Sequence, residues 1–342
     1  MRHISFLICS LLLVSCGKSN KRAPYKSVGV EVVYSDSLSI RAIEHMGGSL
    51  AFAANNGVFG TVELQSGKVR TNTQRYDSIL PHFRAVAHTA SDFFMLSIAS
   101  PALLYKTGGQ GTMELVYREE GETVFYDAMK FWNDREGIAV GDAMNGCLSI
   151  IITRDGGKTW KKSGCDTLPA ALEGEGAFAA SNTNIAIVGD TAWIATTKGR
   201  IYRSLDKGLS WEVYDTPILD DLPTQGIYSI DFFDEELGIV VGGDYTKPEG
   251  NTYNKAITTD GGKTWELIAN GKEPDYKSCV QFVPNANGEH ILAVGFTGIS
   301  YSADSGQQWK ELSDEPFFTV RFINDSTAYA AGNGRIARLR FK

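Results

Sequence analysis

The chain has 342 residues, of which 33 are basic and 40 acidic, and 43% of its residues are hydrophobic. These proportions are those of a folded protein and exclude a disordered or fibrous chain. A net charge of −7 without a run of lysine and arginine excludes an evident nucleic-acid binder, because phosphate binding needs a concentrated basic surface. The 36 glycines favour an all-β architecture with many turns.

The N-terminus carries a targeting segment. Arg2 supplies a positive charge, residues 4–14 form an apolar stretch too short to span a bilayer, and the sequence Leu-Val-Ser-Cys ends at Cys16. This segment resembles the lipobox of bacterial lipoproteins. The resemblance implies a signal peptide over residues 1–15, cleavage before Cys16, acylation of that cysteine and a lipidated tether over residues 16–27. A plain secretory signal cut elsewhere is the alternative. The tether lacks an acidic stretch, which favours an outer-membrane anchor facing the periplasm.

An eight-residue motif then recurs four times without gaps. Each copy has Ser or Thr first, Asp third, Gly fifth and Trp eighth, and four of the six tryptophans occupy this one position. Such repetition at a fixed period indicates a repeat architecture. The recurring residues are Asp155, Gly157 and Trp160; Asp206, Gly208 and Trp211; Asp260, Gly262 and Trp265; and Asp304, Gly306 and Trp309.

The motif has a physical interpretation as a β-hairpin turn. A short carboxylate accepts hydrogen bonds from turn N–H groups, a glycine two positions later can take positive φ, and the tryptophan is a large apolar anchor. The motif resembles the Asp boxes, or BNR repeats, of sialidases, of two-propeller xyloglucanases and of the seven-bladed propellers of the photosystem II assembly-factor family. In those families the box lies on the outer hairpin of a blade, so the resemblance implies a structural role for the aspartates.

The spacing of the motif gives a blade count. The aspartates are 51, 54 and 44 residues apart, which is typical of four-stranded propeller blades. Residues 317–342 have room for only three strands, and residues 28–34 form an unclaimed β-rich strand that would complete the last blade and close the ring. We predict one seven-bladed propeller over residues 28–342, with six or eight blades as alternatives. The repeated units begin near Ile40, Phe83, Phe125, Ala177, Ile227, Lys277 and Phe317.

Enzymatic chemistry has little support. The chain lacks a dinucleotide fingerprint and a haem attachment motif, so no cofactor is predicted, although a quinone-type cofactor leaves no simple signature. A sialidase needs a tyrosine nucleophile, a supporting glutamate and an arginine triad. The best candidates for the arginine triad are Arg41, Arg84 and Arg321, which lie on neighbouring inner strands. The histidines occur singly and predict no metal site. No residue is predicted to be catalytic.

The favoured function is a non-catalytic binding or scaffold module in the cell envelope. It would hold an unidentified protein or glycan ligand on the axial face of a monomeric propeller. The alternatives are a glycan-active hydrolase of the sialidase or glycosidase type, and the oxidoreductase label that some BNR lipoproteins carry. Two carboxylates or an arginine cluster converging on a deep pocket would favour the hydrolase, whereas a mixed polar and aromatic face would favour the binder.

The cysteines predict one disulfide. If Ile152 faces Trp160 in the first Asp-box hairpin, the same register places Cys147 opposite Cys165, within disulfide reach. An oxidising envelope compartment permits this bond. Cys279 would then be a buried free thiol.

The working surface is predicted at the axial end where the chain enters the innermost strands. The residues aligned at this position are Arg41, Arg84, Tyr126, Phe178, Tyr228, Ser278 and Phe318. Phe178 and Phe318 are interpreted as core between blades. The longest connection between second and third strands, residues 244–251, is expected to overhang the opening. The predicted binding residues are therefore Arg41, Arg84, Tyr126, Tyr228, Asp244 and Tyr245.

Overall fold

The computed structural model describes residues 22–342, so the predicted signal peptide, Cys16 and the first part of the tether lie outside the described residues. The described strands form seven antiparallel sheets, which we number as blades one to seven in chain order. Two short 3-10 turns, Gly109–Gly111 and Cys165–Thr167, are the helical elements of this part of the chain. None of its helices has the length and apolarity required to cross a membrane.

Each blade runs from an innermost to an outermost strand. Blade one contains β2 (Ala42–Met46), β3 (Ser49–Ala53), β4 (Val58–Glu63) and β5 (Val69–Thr73). Blade two contains β6 (Phe83–His88), β7 (Phe93–Ser97), β8 (Ala102–Thr107) and β9 (Met113–Glu119). Blade three contains β10 (Tyr126–Phe131), β11 (Gly137–Met144), β12 (Cys147–Thr153) and β13 (Lys161–Lys162). Blade four contains β14 (Ile185–Val188), β15 (Thr191–Ala195), β16 (Arg200–Ser204) and β17 (Glu212–Asp215).

The remaining blades complete the ring. Blade five contains β18 (Gln225–Phe232), β19 (Gly238–Asp244), β20 (Lys255–Thr258) and β21 (Glu266–Leu267). Blade six contains β22 (Cys279–Phe282), β23 (Ile291–Gly295), β24 (Gly298–Ser302) and β25 (Lys310–Ser313). Blade seven contains β26 (Thr319–Asn324), β27 (Thr327–Phe341) and β1 (Val28–Ser39). Each innermost strand contacts the next, and β26 contacts β2, so the predicted seven-bladed ring is confirmed.

The N-terminal strand closes blade seven. β27 folds back on itself near Gly334, which has φ +77°. The fold-back brings the two ends of the strand together, and the Phe341 N–H donates to the Ser326 carbonyl at 2.9 Å. β27 therefore supplies two passes of the sheet, and β1 pairs with its second half from Val28, opposite Phe341, onward. Closure by the N-terminal strand is confirmed, although β1 continues to Ser39, beyond the predicted residues 28–34.

The Asp boxes are turn-forming elements, as predicted. In the first box, Asp155 accepts the Thr159 N–H at 3.0 Å and the Thr159 hydroxyl at 2.7 Å, while the Thr153 hydroxyl accepts the Gly157 N–H at 2.9 Å. The backbone part of this pattern recurs in the other three boxes, and all four fifth-position glycines have positive φ, between +76° and +87°. Each box carboxylate accepts hydrogen bonds from its own turn, which explains why the aspartate recurs in every box.

The box tryptophans pack between neighbouring blades. Trp160 meets Phe131 edge-on at 5.7 Å between ring centroids, and Phe131 stacks on Phe94 of blade two at 4.7 Å. Phe131 also lies opposite Gly137 in the sheet, where a Cβ would come within 2.8 Å of its ring. The same arrangement recurs two boxes later in Trp265, Phe232, Trp193 and Gly238. These aromatic clusters bury large apolar surfaces at the blade contacts.

The predicted disulfide is present, but the register argued for it is wrong. Cys147 and Cys165 are bonded with their Cα atoms 5.4 Å apart, and Cys279 is a buried free thiol. Ile152 faces Lys161, not Trp160, so directly opposed residues sum to 313 and not to 312. The ladder also ends at Lys162, and a 3-10 turn brings Cys165 beside the hairpin at the start of β12.

Residues 177–184, which we name the axial plug, occupy the central channel. The Asn182 amide donates to the Val86 carbonyl of blade two at 2.7 Å, and the Thr319 hydroxyl of blade seven donates to the Ser181 carbonyl at 2.9 Å. Thr183 bonds Ser229 of blade five at 2.7 Å. Because these blades do not adjoin one another, the plug must cross the channel. The apolar residues near Ala177 had predicted the start of blade four there. Because these residues belong to the plug, the first strand of blade four begins at Ile185 instead.

Candidate binding site on the axial face

A cavity of about 260 Å³, which we name the axial cavity, lies where the chain enters the innermost strands. The plug backbone at Ala179 and Ala180 forms part of its wall. The other residues combine two arginines with six aromatic rings and one serine. The complete lining is Arg41, Arg84, Phe178, Ala179, Ala180, Tyr228, Tyr245, Tyr276, Ser278, Phe296 and Phe318.

The two arginines bond to the plug. Arg41 donates to the Ala180 carbonyl at 3.3 Å, and Arg84 donates to the Ala179 carbonyl at 3.1 Å. The Arg41 guanidinium also lies 3.8 Å from the centroid of the Phe318 ring. Within residues 22–342, neither arginine forms an ion pair with a carboxylate. Burial and the neighbouring Arg84 lower the pKa of Arg41 to about 10, so the group stays charged at neutral pH.

The groups around Arg84 do not cancel its charge. The Nε of Arg84 lies 3.4 Å from the Nε2 of His82, and burial together with both arginines lowers the pKa of His82 to about 4, so this imidazole is neutral. Asp127 is completely buried, and burial together with Asp142 raises the pKa of its carboxyl well above its usual range, which favours the neutral acid. The cavity therefore presents two cations without a matching anion.

The aromatic wall is rigid. Phe178 stacks on Tyr228 with 3.8 Å between ring centroids and 5° between planes. Tyr276 meets Tyr228 edge-on at 4.8 Å and lies 4.9 Å from Phe296. The Tyr228 hydroxyl donates to the Thr224 carbonyl at 2.8 Å, so the polar end of this ring is also held in place.

Four of the six predicted binding residues line this cavity, namely Arg41, Arg84, Tyr228 and Tyr245. Tyr126 does not, because its side chain is fully buried and its hydroxyl donates to Glu119 at 2.7 Å. Asp244 is also buried and accepts the Thr246 N–H at 2.9 Å, so it forms the loop that carries Tyr245.

Other lining residues require a correction to the sequence interpretation. Phe178 and Phe318, interpreted as core between blades, are half-buried and line the cavity, and Phe178 also packs against the buried Tyr228 of blade five. The plug displaces Phe178 from the strand position that was assumed for it, and Phe318 lies one residue before β26. Tyr276 and Phe296 were missed. The signal for Phe296 was present, since an aromatic residue stands in the tight turn between β23 and β24.

The three arginines proposed as a sialidase-like triad do not converge. Arg321 is buried and pairs with Glu44 at 3.3 Å, and its Nη1 donates to Thr319 and to the Val320 carbonyl at 3.0 and 2.9 Å. It is absent from the cavity lining. In the part of the chain that the structure describes, no three His, Cys, Asp or Glu side chains cluster as metal ligands would.

Comparison with known proteins agrees with this architecture. The family described as BNR/Asp-box repeat matches residues 151–162 and 256–267, which contain the first and third boxes. Among curated proteins, no sequence matches the chain significantly.

Solved structures share the fold at low identity. YCF48 bound to D1 peptide is 12% identical with a TM-score of 0.66, over 94% of this chain and 98% of that one. A streptogramin B lyase is 15% identical with a TM-score of 0.69, over 94% and 100%. The RRP9 WD40 repeats are 12% identical with a TM-score of 0.64, over 94% and 100%. The chain is thus a seven-bladed β-propeller that contains Asp-box repeats.

Proposed function

We propose that the protein is a non-catalytic binding module whose axial cavity holds a carboxylate-bearing segment of a partner protein. The observation that carries this proposal is that Arg41 and Arg84 lie together in an aromatic cavity, both partly buried and neither in an ion pair with a carboxylate of the described residues. A guanidinium binds a carboxylate through short parallel hydrogen bonds, and a partly buried cation gains most from an anion that water cannot screen.

The surface around the cavity supports a protein ligand. Large apolar side chains are exposed on the connections at this end of the propeller, and apolar surface around a cavity is typical of protein interaction sites. Aromatic residues and arginine are also the side chains enriched at the centre of protein interfaces. The exposed residues are Ile79, Leu80, Leu172, Leu222, Tyr245, Tyr253 and Phe296. YCF48, which shares the fold, has been solved with a peptide bound.

We propose further that acylated Cys16 anchors the protein to the outer membrane on its periplasmic side. Arg22 pairs at 2.9 Å with Asp325, which follows β26, whereas Phe318 of the axial cavity precedes β26. The chain therefore enters the propeller at the end opposite the cavity, and an anchor there would direct the cavity away from the bilayer. Replacing Cys16 with serine should release the protein from membranes, and retention after a salt wash would contradict the anchor.

The binding proposal is tested with a displayed library of random octapeptides that have free carboxyl termini. The wild-type propeller should enrich a peptide set, and amidation of the C-terminus or replacement of an acidic side chain should weaken a selected peptide at least tenfold. The variant Arg41→Gln/Arg84→Gln should lose the same affinity. Arg118→Gln, an exposed arginine paired with Glu120, is the matched control and should bind like wild type. Selection of no peptide, or equal binding by the double variant, would overturn the proposal.

A further inference from the structure

The axial cavity is the inner end of a longer groove. A second cavity of about 540 Å³ shares Arg84, Phe178 and Ala179 with the axial cavity. A third cavity of about 400 Å³ shares Phe125, Asp142 and Gly174 with the second. The three cavities form one depression, which we name the radial groove. It runs from the propeller axis across the connections of blades three and four to the connections of blades two and three.

The two ends of the radial groove differ in charge. The axial end contains Arg41 and Arg84 and no acid, whereas the outer cavity contains Glu122, Asp142 and Glu175 and no basic side chain. The middle cavity contains both signs, including Glu173 and Lys198. An elongated ligand that fills the groove therefore meets positive charge first and negative charge last.

The acids at the outer end are not all used by the fold. The Glu175 carboxylate is already paired within the fold, because Arg200 donates a hydrogen bond to it at 3.0 Å and the Thr196 hydroxyl donates another at 2.8 Å. Asp142 accepts one long hydrogen bond, 3.3 Å from the Ala177 N–H, and forms no ion pair with any described residue. Glu122 is exposed at the groove and has no ion pair within residues 22–342.

Asp142 also lies near the buried carboxyl group of Asp127, which does not itself line the outer cavity. Asp127 is 0% exposed, its carboxyl oxygens accept no side-chain hydrogen bond, and it interacts electrostatically with Asp142. Burial raises the pKa of Asp142 itself to about 6. A cation bound at the outer end would stabilise the ionised form of Asp142, which accepts one long hydrogen bond and has no ion pair among the described residues.

We propose that the radial groove selects an extended peptide with a carboxylate at the axial end and a lysine or arginine side chain at Asp142 and Glu122. This inference rests on the proposed function, because it takes the carboxylate at Arg41 and Arg84 as given. Charge complementarity at both ends would fix the direction of the peptide in the groove and exclude peptides that carry only one of the two charges.

The test uses synthetic octapeptides that end in phenylalanine with a free carboxylate. One lysine is placed at each position from the second to the sixth residue before the end, and each peptide has a norleucine counterpart. When lysine stands at one particular position of the peptide, or at either of two adjacent positions, the lysine peptide should bind about five to ten times more tightly than its norleucine counterpart. The variant Glu122→Gln/Asp142→Asn should lose this preference while its affinity for the norleucine peptide stays within twofold of wild type.

Two further measurements separate the possible failures. Glu311→Gln, an exposed acid on blade six, is the control and should keep the lysine preference. The single variant Glu122→Gln, on the exposed side of the groove, should halve the preference or more, even if the double variant does not fold. Equal binding of lysine and norleucine peptides at every position, with binding still lost on C-terminal amidation, would overturn this inference and leave the proposed function standing. Indifference both to amidation and to replacement of every acidic side chain of the peptide would overturn the proposed function itself.

Discussion

At the scale of single residues, the Asp-box carboxylates are held by hydrogen bonds from their own turns. Partial burial raises the pKa of Asp260, but the N–H and hydroxyl of Thr264, the Thr258 hydroxyl and the Lys263 N–H outweigh it and lower the pKa to about 2. The corresponding carboxyl in an unfolded chain titrates near pH 4. The ionised form therefore favours the folded state, and the sequence repeats the residue because it sets the turn.

The first prediction concerns Asp260→Asn. This variant should lose about 1 kcal/mol at pH 7, a modest value because solvent partly screens the exposed carboxylate. Since the folded pKa is depressed, the wild-type advantage is present above about pH 4 and disappears as the pH falls toward 2. Urea unfolding at pH 7 and pH 3 measures both values. Asp221→Asn, an exposed acid, serves as the control, and an undiminished difference at pH 3 would contradict the argument.

The second prediction concerns the box glycine Gly157. Its φ is +76°, and a Cβ there would lie 2.2 Å from Cε1 of Phe94 in the neighbouring blade. Gly157→Ala should therefore cost about 2–4 kcal/mol, the sum of a left-handed backbone and an overlap in a packed core. Gly111→Ala is a matched control, because Gly111 also has φ +76° but nothing within 4 Å of a Cβ, and it should cost about 1 kcal/mol. Equal losses in the two variants would show that packing at the blade contact does not matter.

At the scale of elements, the sequence motifs correctly predicted those features that depend on interactions between residues close together in the chain. The Asp-box turn, the glycine conformation and the repeat length all depend on residues within one hairpin, so one sequence sufficed to infer them. The register that was argued for Cys147 and Cys165 failed by one residue, because it assumed that strand pairing continues straight through to Cys165. The ladder stops at Lys162, and the contact that joins the cysteines comes from a separate turn.

The axial plug shows why tertiary contacts escaped the sequence interpretation. Residues 177–180 are apolar and suggested an inner strand, but the polar residues 181–184 bond to backbone groups of distant blades. No local pattern marks a segment whose partners lie in other blades. The consequence reaches the site, because the plug supplies the carbonyls that position Arg41 and Arg84.

The third prediction tests the plug at Asn182. Its amide donates to the Val86 carbonyl at 2.7 Å, and its side-chain oxygen accepts the Met129 N–H at 3.0 Å. Asn182→Ala leaves two buried backbone groups without partners and should cost about 2–4 kcal/mol in urea unfolding. The Met129 amide should also exchange hydrogen faster. Asn285→Ala is the control, since Asn285 has φ +58° against +59° for Asn182 but is exposed. It should cost about 1 kcal/mol, the backbone part alone, and leave the exchange of the Met129 amide unchanged.

At the scale of the whole molecule, topology located the site better than residue type did. The connections that enter the innermost strands meet at one end of any propeller, and this geometry correctly placed Arg41, Arg84 and Tyr228 around one cavity. This geometry does not determine which side chains at the start of the innermost strands are buried in the core and which line the cavity. Tyr126 is buried in the core because Glu119 accepts its hydroxyl, a contact between blades that no spacing rule contains.

The last prediction concerns closure of the ring. β1 pairs with β27 along its length, and without it the second half of β27 would be an exposed sheet edge, which invites pairing with another chain. A chain that begins at residue 40 should therefore form dimers or aggregates in size-exclusion chromatography and unfold less cooperatively than a chain that begins at residue 22. Adding a synthetic peptide of residues 28–39 should restore the monomer, because the peptide supplies the missing strand, whereas a peptide of the same composition in scrambled order should not. A stable monomer from residue 40 onward would show that six complete blades hold the ring without its closing strand.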